Sequence, residues 1–354
     1  QPKRGLANTI LDAGRDLSAL EGLTFYSPPA AWSNPLLWGA ARVIMPDRIE
    51  VATVRIDRAV PPVGSLETGD SGYYAFLPNS LAAFQAANEI LKGGNLYRAS
   101  EKFEDSGRSF DAGTFIMPAD TATARSLADY YALDLFSLLQ VPETAVELSQ
   151  ARIAVVGDEG TLYALKVLGF SADVFSASDM NSTKIMQYDL LVNQNFYWSN
   201  LGSTGQEAFK LFFATGGDYL GLGSSGTQFA IDAGVLDVSI ARTSGNGIVS
   251  IVFEPQDQLA SGFSPVDYAF AYNPVWFTRL GSNVITTARM AQEDFFIAGY
   301  WPGWQDSGAA GYPVIVHTVE GESGIYAFGI DTTFRAHPEN TFRLLAAAIF
   351  DSQD

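Results

Sequence analysis

The chain has two histidines, His317 and His337, to serve as bases or metal ligands, and it has no cysteine. The missing cysteine removes thiolate nucleophiles, thiolate metal sites and disulfides together. His317-Thr318-Val319-Glu320 has the H-x-x-E spacing that can present two zinc ligands. These residues, however, read as a strand entering a hairpin turn at Glu320 to Ser323, where positions three apart point to opposite faces. A third ligand would also be needed. His317 is therefore expected to be a strand histidine, and neither a metal nor a cofactor is expected.

Two further clusters invite a chemical reading. Glycines near Gly157, Gly160 and Gly221 to Gly226 can cradle an anion at a helix N-terminus. No Walker-type lysine follows them, there is no full dinucleotide fingerprint, and Asp158 and Glu159 would repel phosphate, so a nucleotide site is not expected. Tyr300-Trp301-Pro302-Gly303-Trp304 is a dense aromatic loop. Exposed, Tyr300, Trp301 and Trp304 would stack on sugar rings or anchor a partner protein. Aromatic runs usually pack, so a buried or interface position is expected.

The elements that hold such residues belong to a well-packed globular chain. Of 354 residues, 47% are hydrophobic, 13% aromatic and 17% charged, enough for a large core and for two domains. The formal net charge of -18 repels phosphate backbones, so nucleic acid is not an expected partner. Solubility accounts for that charge, with a salty habitat or cationic partners as alternatives. Leu344 to Phe350 is the longest clean apolar run and is far too short to span a membrane. The sequence opens on Gln1 with no signal-peptide pattern, so a processed chain or a fragment is expected. Asn181-Ser182-Thr183 is a single match to the glycosylation sequon.

Residues 1–71 read as a β-rich segment. Strands are expected over 42–45 and 49–56, broken by Pro46 and Pro61-Pro62, with Trp32 and Trp38 packing around a turn. Residues 72–148 read as a small α/β layer. Tyr73 to Leu77 is a strand, Ser80 an N-cap, and Leu81, Phe84, Ala87, Ile90 and Leu91 mark one helical face stopped by Gly93-Gly94. Strands over 95–99 and 114–117 and a helix over 122–132 follow. Residues 149–354 read as a second α/β unit. The strands Ile153 to Val156, Val174-Phe175, Leu190 to Val192 and Tyr219-Leu220 alternate with helices, which implies a parallel sheet with crossover connections. Strands dominate from 235 to 319, where an inserted or appended antiparallel section is expected. A helix through Phe342, Leu345 and Ile349 closes the chain.

Several runs resemble a known family. Ile90-Leu91-Lys92-Gly93-Gly94-Asn95-Leu96-Tyr97-Arg98 and Ala112-Gly113-Thr114-Phe115-Ile116-Met117-Pro118 are similar to stretches of large secreted bacterial zinc carboxypeptidase-like proteins, behind their catalytic domain. Phe213 to Gly217, Leu222 to Ser225, Phe328 to Arg335 and Asn340 to Leu345 resemble later stretches in the same order. The resemblance implies a class I glutamine amidotransferase-like fold for residues 149–354. It also implies an accessory region that partners a zinc peptidase domain, another surface protein or a larger assembly, outside the cytoplasm. The peptidase domain itself matches nowhere in these residues.

The same resemblance suggests a nucleophile elbow. Class I amidotransferases carry G-x-C-x-G at a strand-to-helix turn and a base in a late F-H-P-E segment. Here Leu222-Gly223-Ser224-Ser225-Gly226 resembles the elbow, with Ser224 at the nucleophile position, and Phe334-Arg335-Ala336-His337-Pro338-Glu339 resembles the base segment. A serine with a histidine base and a carboxylate to orient it can perform acyl transfer. Leu222 replaces the first elbow glycine, serine replaces the thiolate, and extra residues separate Phe334 from His337. The expectation is therefore a non-catalytic accessory or scaffold region. A serine-dependent hydrolase or amidase using Ser224, His337 and Glu339 is one alternative, and a glycan-binding module using Tyr300, Trp301 and Trp304 another.

Overall fold

The computed structural model describes residues 11–23, 33–40, 43, 50–52, 54–55, 57–58, 62–69 and 72–353. The strand expected over 42–45 and residue Trp32 lie almost wholly outside the described residues. The described positions within 49–56 carry no strand pairing. What is described before residue 72 includes a one-turn helix, α1 (Asn34–Leu37), and a short strand, β1 (Ser65–Leu66).

The first layer is built on β2 (Tyr73–Phe76), β3 (Tyr97–Ala99), a hairpin of β4 (Phe103–Asp105) and β5 (Arg108–Phe110), then β6 (Phe115–Pro118), β7 (Asp134–Leu138) and β8 (Ala145–Glu147). A six-stranded sheet runs in the order β1-β7-β2-β6-β3-β8, so β1 is its edge strand. Its helices start where short polar side chains cap them. The Ser80 hydroxyl accepts the Ala83 amide at 3.2 Å to begin α2 (Leu81–Ile90), and Asp120 accepts the Thr123 amide at 2.7 Å to begin α3 (Thr121–Tyr131).

The second layer starts with β9 (Ile153–Val156), α4 (Glu159–Leu168), β10 (Ala172–Val174) and a one-turn helix, α5 (Ser182–Ile185). It continues through β11 (Leu190–Asn193), α6 (Ser203–Ala214), β12 (Asp218–Leu222) and α7 (Gly223–Ala233). Next come β13 (Val238–Arg242), β14 (Asn246–Phe253), β15 (Val266–Tyr272), β16 (Val275–Leu280), β17 (Ile285–Met290) and β18 (Phe296–Tyr300). The chain ends with β19 (Pro313–Glu320), β20 (Ser323–Phe328) and α8 (Glu339–Asp351). Five strands in the order β10-β9-β11-β12-β20 pair in parallel. The same sheet then continues antiparallel through β19, β17, β14 and β15, with β18 also on β14. The antiparallel section expected over 235–319 is therefore mostly the other half of one ten-stranded sheet, and β13 with β16 forms a separate ribbon.

This is an α/β fold with a parallel sheet flanked by helices. β9, β11 and β12 are buried at every position, as strands covered on both faces must be. Their alternation sorts the core. Ile153 and Val155 pack with Ala164, Leu165 and Leu168 of α4, whereas Ala154 and Val156 pack with Phe209 and Phe212 of α6 and Phe229 of α7.

Helix α8 joins the layers. Every residue from Asn340 to Asp351 is buried, so the helix has no solvent face. Phe350 meets Phe84 of α2 at 6.1 Å, Phe115 of β6 at 5.1 Å and Phe170 of the second layer at 5.3 Å between ring centroids. Each ring so removed from water contributes on the order of 2 kcal/mol. At the last turn Asp351 accepts hydrogen bonds from Arg98 of β3 at 2.9 Å and from the Tyr326 hydroxyl at 2.8 Å, and also from Gln258.

Candidate functional site

In a parallel sheet of order β10-β9-β11-β12-β20 the chain steps outward from β9 to β10, then returns past β9 to β11 and continues the other way. That switch opens a crevice beyond the carboxyl ends of the strands. A cleft of about 660 Å³ lies at this edge. Asp158 after β9, Gln194, Asn195 and Tyr197 after β11, and Leu222 to Ser225 after β12 line it from the parallel half. Arg242 to Ser244 from the end of β13 and the loop after it, Tyr272 and Asn273 at the end of β15, and Asp331 and Phe334 after β20 complete the wall.

The turn from β12 into α7 decides what chemistry the cleft can hold. Gly223 has φ +62°, the left-handed conformation at the sharp point of the turn, and a Cβ built there would meet nothing within 4 Å. Gly221 and Gly226 make the close crossing of strand and helix, since a Cβ on Gly221 would stand 2.7 Å from the Gly226 carbonyl. The glycines that such an elbow needs are thus Gly221 and Gly226, and the residue at its apex is Gly223 rather than Ser224. Ser224 sits one position on, half-buried in the first turn of α7, and its hydroxyl makes no hydrogen bond among the described residues.

The other members of the expected triad are not gathered there. His337 is absent from the cleft lining and lies edge-on to Trp38, ring centroids 6.3 Å apart, with burial lowering its pKa. The Glu339 carboxylate, in the first turn of α8, hydrogen-bonds neither His337 nor Ser224. The cause is the segment before His337. Phe334 stacks on Phe270 at 4.6 Å and on Tyr272 at 4.9 Å, fixing the chain against β15. Arg335 at φ +50° and Ala336 at φ +59° then carry it away in consecutive left-handed steps. Such a step strains a residue with a Cβ, so Ala336→Gly is expected to stabilise the protein by about 0.5–1 kcal/mol. A denaturant midpoint that fails to rise in urea would contradict this.

The remaining sequence candidates have structural roles. Trp301 is 1% exposed and packs on Phe295 at 5.4 Å, Phe296 at 5.8 Å and Trp276 at 6.4 Å. Trp304 is half-buried, and its indole N–H donates to Asp16 at 2.9 Å. Tyr300 lies in β18 opposite Asn246. With Trp301 in the core the loop presents no joint aromatic platform for a sugar, which corrects that form of the glycan reading. His317 hydrogen-bonds Asp257 at 2.7 Å and stacks on Tyr326, while Glu320 is exposed at the end of the strand. Burial works to lower the His317 pKa, but the hydrogen bond and charge of Asp257 outweigh it and raise the pKa overall.

Within the cleft, burial pushes the Asp331 pKa up to about 7, helped by the charge of Asp158 and only partly offset by the backbone N–H groups of Thr333 and Phe334. Asp331 is a neutral acid over much of the range where ordinary carboxyls are ionised. Asn195, Ser224, Ser225, Arg242, Ser244 and Asn273 also line the cleft, and their side chains make no hydrogen bond or ion pair among the described residues. Apart from Ser224, sequence reasoning missed these side chains. Position just after a parallel strand could have flagged Asn195 and Asp331. Nothing local marks Arg242 or Asn273, which arrive from antiparallel strands.

No family model matches this sequence, and no curated protein matches it. Solved structures resemble part of it at low similarity. A putative GMP synthase protein from Thermoplasma acidophilum is 13% identical with a TM-score of 0.41, covering 57% of this chain and 95% of that one. A glutamine amidotransferase from Thermotoga maritima is 11% identical with a TM-score of 0.38, covering 58% of this chain and all of that one. Another glutamine amidotransferase is 16% identical with a TM-score of 0.35, covering 57% and 98%. Likenesses this distant assign nothing further to this chain.

Proposed function

We propose that this chain is a non-catalytic accessory module whose elbow cleft binds without forming a covalent intermediate. The observation that carries this reading is Gly223. The apex of the strand-to-helix turn, where a nucleophile would project over the cleft, holds a residue without a side chain. Ser224 lines the same cleft, and its hydroxyl hydrogen-bonds no histidine or carboxylate among the described residues.

The finer parentage is proposed from the sequence resemblance. In this reading the module accompanies a zinc carboxypeptidase-like domain or another surface protein outside the cytoplasm and mediates docking or assembly. The resemblant runs fall on joints of the fold, which suits a scaffold. Ala112 to Pro118 covers the turn into β6 and the strand itself, and Asn340 to Leu345 lies on α8, the helix shared by both layers. Among the described residues no group of three or more His, Cys, Asp or Glu side chains could hold a metal ion, so peptidase chemistry would belong to the partner.

Two measurements test the reading separately. Ser224→Ala is expected to leave hydrolysis of p-nitrophenyl acetate and of a p-nitroanilide at the level of the unaltered protein. A working serine nucleophile would instead lose on the order of a thousandfold or more, and that loss would sink the non-covalent reading. Native mass spectrometry of the protein from its source, with zinc quantified, should find a co-purifying zinc-bearing polypeptide. A metal-free assembly of this chain alone would overturn the carboxypeptidase association.

A further inference from the structure

We infer that the elbow cleft is a binding site for a neutral, polyhydroxylated ligand, a mono- or disaccharide, held by Asn195, Ser225, Ser244 and Asn273 with Arg242 beside them. The inference rests on the non-covalent reading of this cleft and adds the class of its ligand. It also moves sugar recognition from the Trp301 loop, whose main aromatic is buried, to the carboxyl edge of the sheet.

The lining selects the ligand by hydrogen bonding. The amide side chains of Asn195 and Asn273 and the hydroxyls of Ser225 and Ser244 each both donate and accept, and all are unengaged among the described residues. A sugar hydroxyl has the same double character, so it pairs with such groups in either direction. Asn195, Ser244 and Asn273 are exposed on three connections and Ser225 lies in the first turn of α7, so all four line the concave site with bonds that go to water until a ligand takes them up. The volume of about 660 Å³ lies within the range of small-molecule sites.

Charge narrows the choice. Arg242 is the cation of a lining that also holds Asp158 and Asp331. A phosphate or other polyanion would meet Asp158 within a chain of net charge -18. A ligand carrying only an ammonium group would meet Arg242. A neutral ligand meets neither penalty, and Arg242 and Asp158 then act as a donor and an acceptor for its hydroxyls.

Aromatic surface supplies the remaining part of a sugar site. Tyr272 and Phe334 stack at 4.9 Å with their planes 26° apart on the wall, and Tyr197, 40% exposed, lies on the connection after β11. The C–H faces of a pyranose pack on such rings while its hydroxyl edge reaches the polar groups between them.

Saturation-transfer NMR on the whole chain tests this with glucose, galactose, N-acetylglucosamine, maltose and cellobiose as probes, followed by calorimetry on the sugar that responds. At least one sugar should show transfer. Asn195→Ala and Ser244→Ala should each weaken it roughly tenfold, the loss of one ligand hydrogen bond, with an unchanged melting temperature. No transfer from any of the sugars would overturn the inference, as would transfer indifferent to both substitutions. Glutamine or inorganic phosphate binding in place of the sugars would also overturn it, by assigning the cleft to an amino acid or an anion. These failures leave the non-covalent reading standing, whereas hydrolysis abolished by Ser224→Ala would sink that reading alone.

Discussion

Asp351→Ala should destabilise the protein by roughly 3–5 kcal/mol, the cost of leaving a buried charge without its counter-charge. Arg98 is 2% exposed and its guanidinium donates to Asp351 at 2.9 Å across the joint between the first layer and α8. The same carboxylate accepts the Tyr326 hydroxyl and the Gln258 amide, so alanine would also strand polar groups in the core. The check is a urea titration in which the midpoint falls while its slope is retained. A double replacement, Arg98→Met with Asp351→Leu, removes both charges and should recover most of the loss, because apolar groups can stand where a buried pair stood. If the single change is nearly silent, the pair does not hold the layers together. If the double change is as costly as the single, the energy lies in packing rather than in charge.

The second large effect depends on pH. Burial pushes the Asp218 pKa up to about 7, with the charges of Asp189 and Asp351 adding to it and hydrogen bonds from the Gly324 amide and Ser352 opposing it. Against an ordinary value of 3.8 the folded state holds an extra proton between pH 4 and 7. The unfolded state then binds fewer protons, so stability falls as pH rises through that window. Asp331, raised to about 7 by the same cause, adds a slope of the same sign. Asp218→Asn keeps an oxygen to accept the Gly324 amide, which lies 2.6 Å from Asp218 Oδ1, and removes the ionisation. The variant should match the parent near pH 3.5, below the ordinary value, and exceed it by about 1–3 kcal/mol at pH 8, an order set by 1.36 kcal/mol per pKa unit and reduced by partial hydration. Denaturant melts at the two pH values decide it. An equal pH slope in parent and variant would mean that Asp218 is ionised in the folded protein throughout.

Much of the architecture was legible because its signals are local. Ser80, Asp120 and Asp158 each cap a helix through an amide three residues on, and that geometry is contained in the segment itself. The apolar runs at 153–156 and 190–192 announce strands buried on both faces, and the helices between them require crossovers. The absence of cysteine and the single H-x-x-E run settled which chemistries lacked residues before any fold was known.

Tertiary structure decided the rest, for reasons that spacing does not encode. Whether Gly223 or Ser224 stands at the apex depends on where β12 ends and on the close crossing of Gly221 and Gly226, so a shift of one position replaces a nucleophile with a hydrogen atom. His337 follows Phe334 closely in sequence, yet left-handed steps at Arg335 and Ala336 turn it toward Trp38. Trp301 is expected from the sequence to be buried or at an interface, and which of the two holds is decided only where Phe295, Phe296 and Trp276 close on it. The cleft itself is non-local: Asn195, Asn273 and Asp331 come from separate connections and Arg242 from the end of β13 in the separate ribbon, and the fold brings them to a single edge. By itself the sequence determined many of the helices and buried strands from residue 72 onward, because caps and periodicity act over a few residues. The fold determined which side chains meet, because meeting depends on strand order and on backbone angles at single positions.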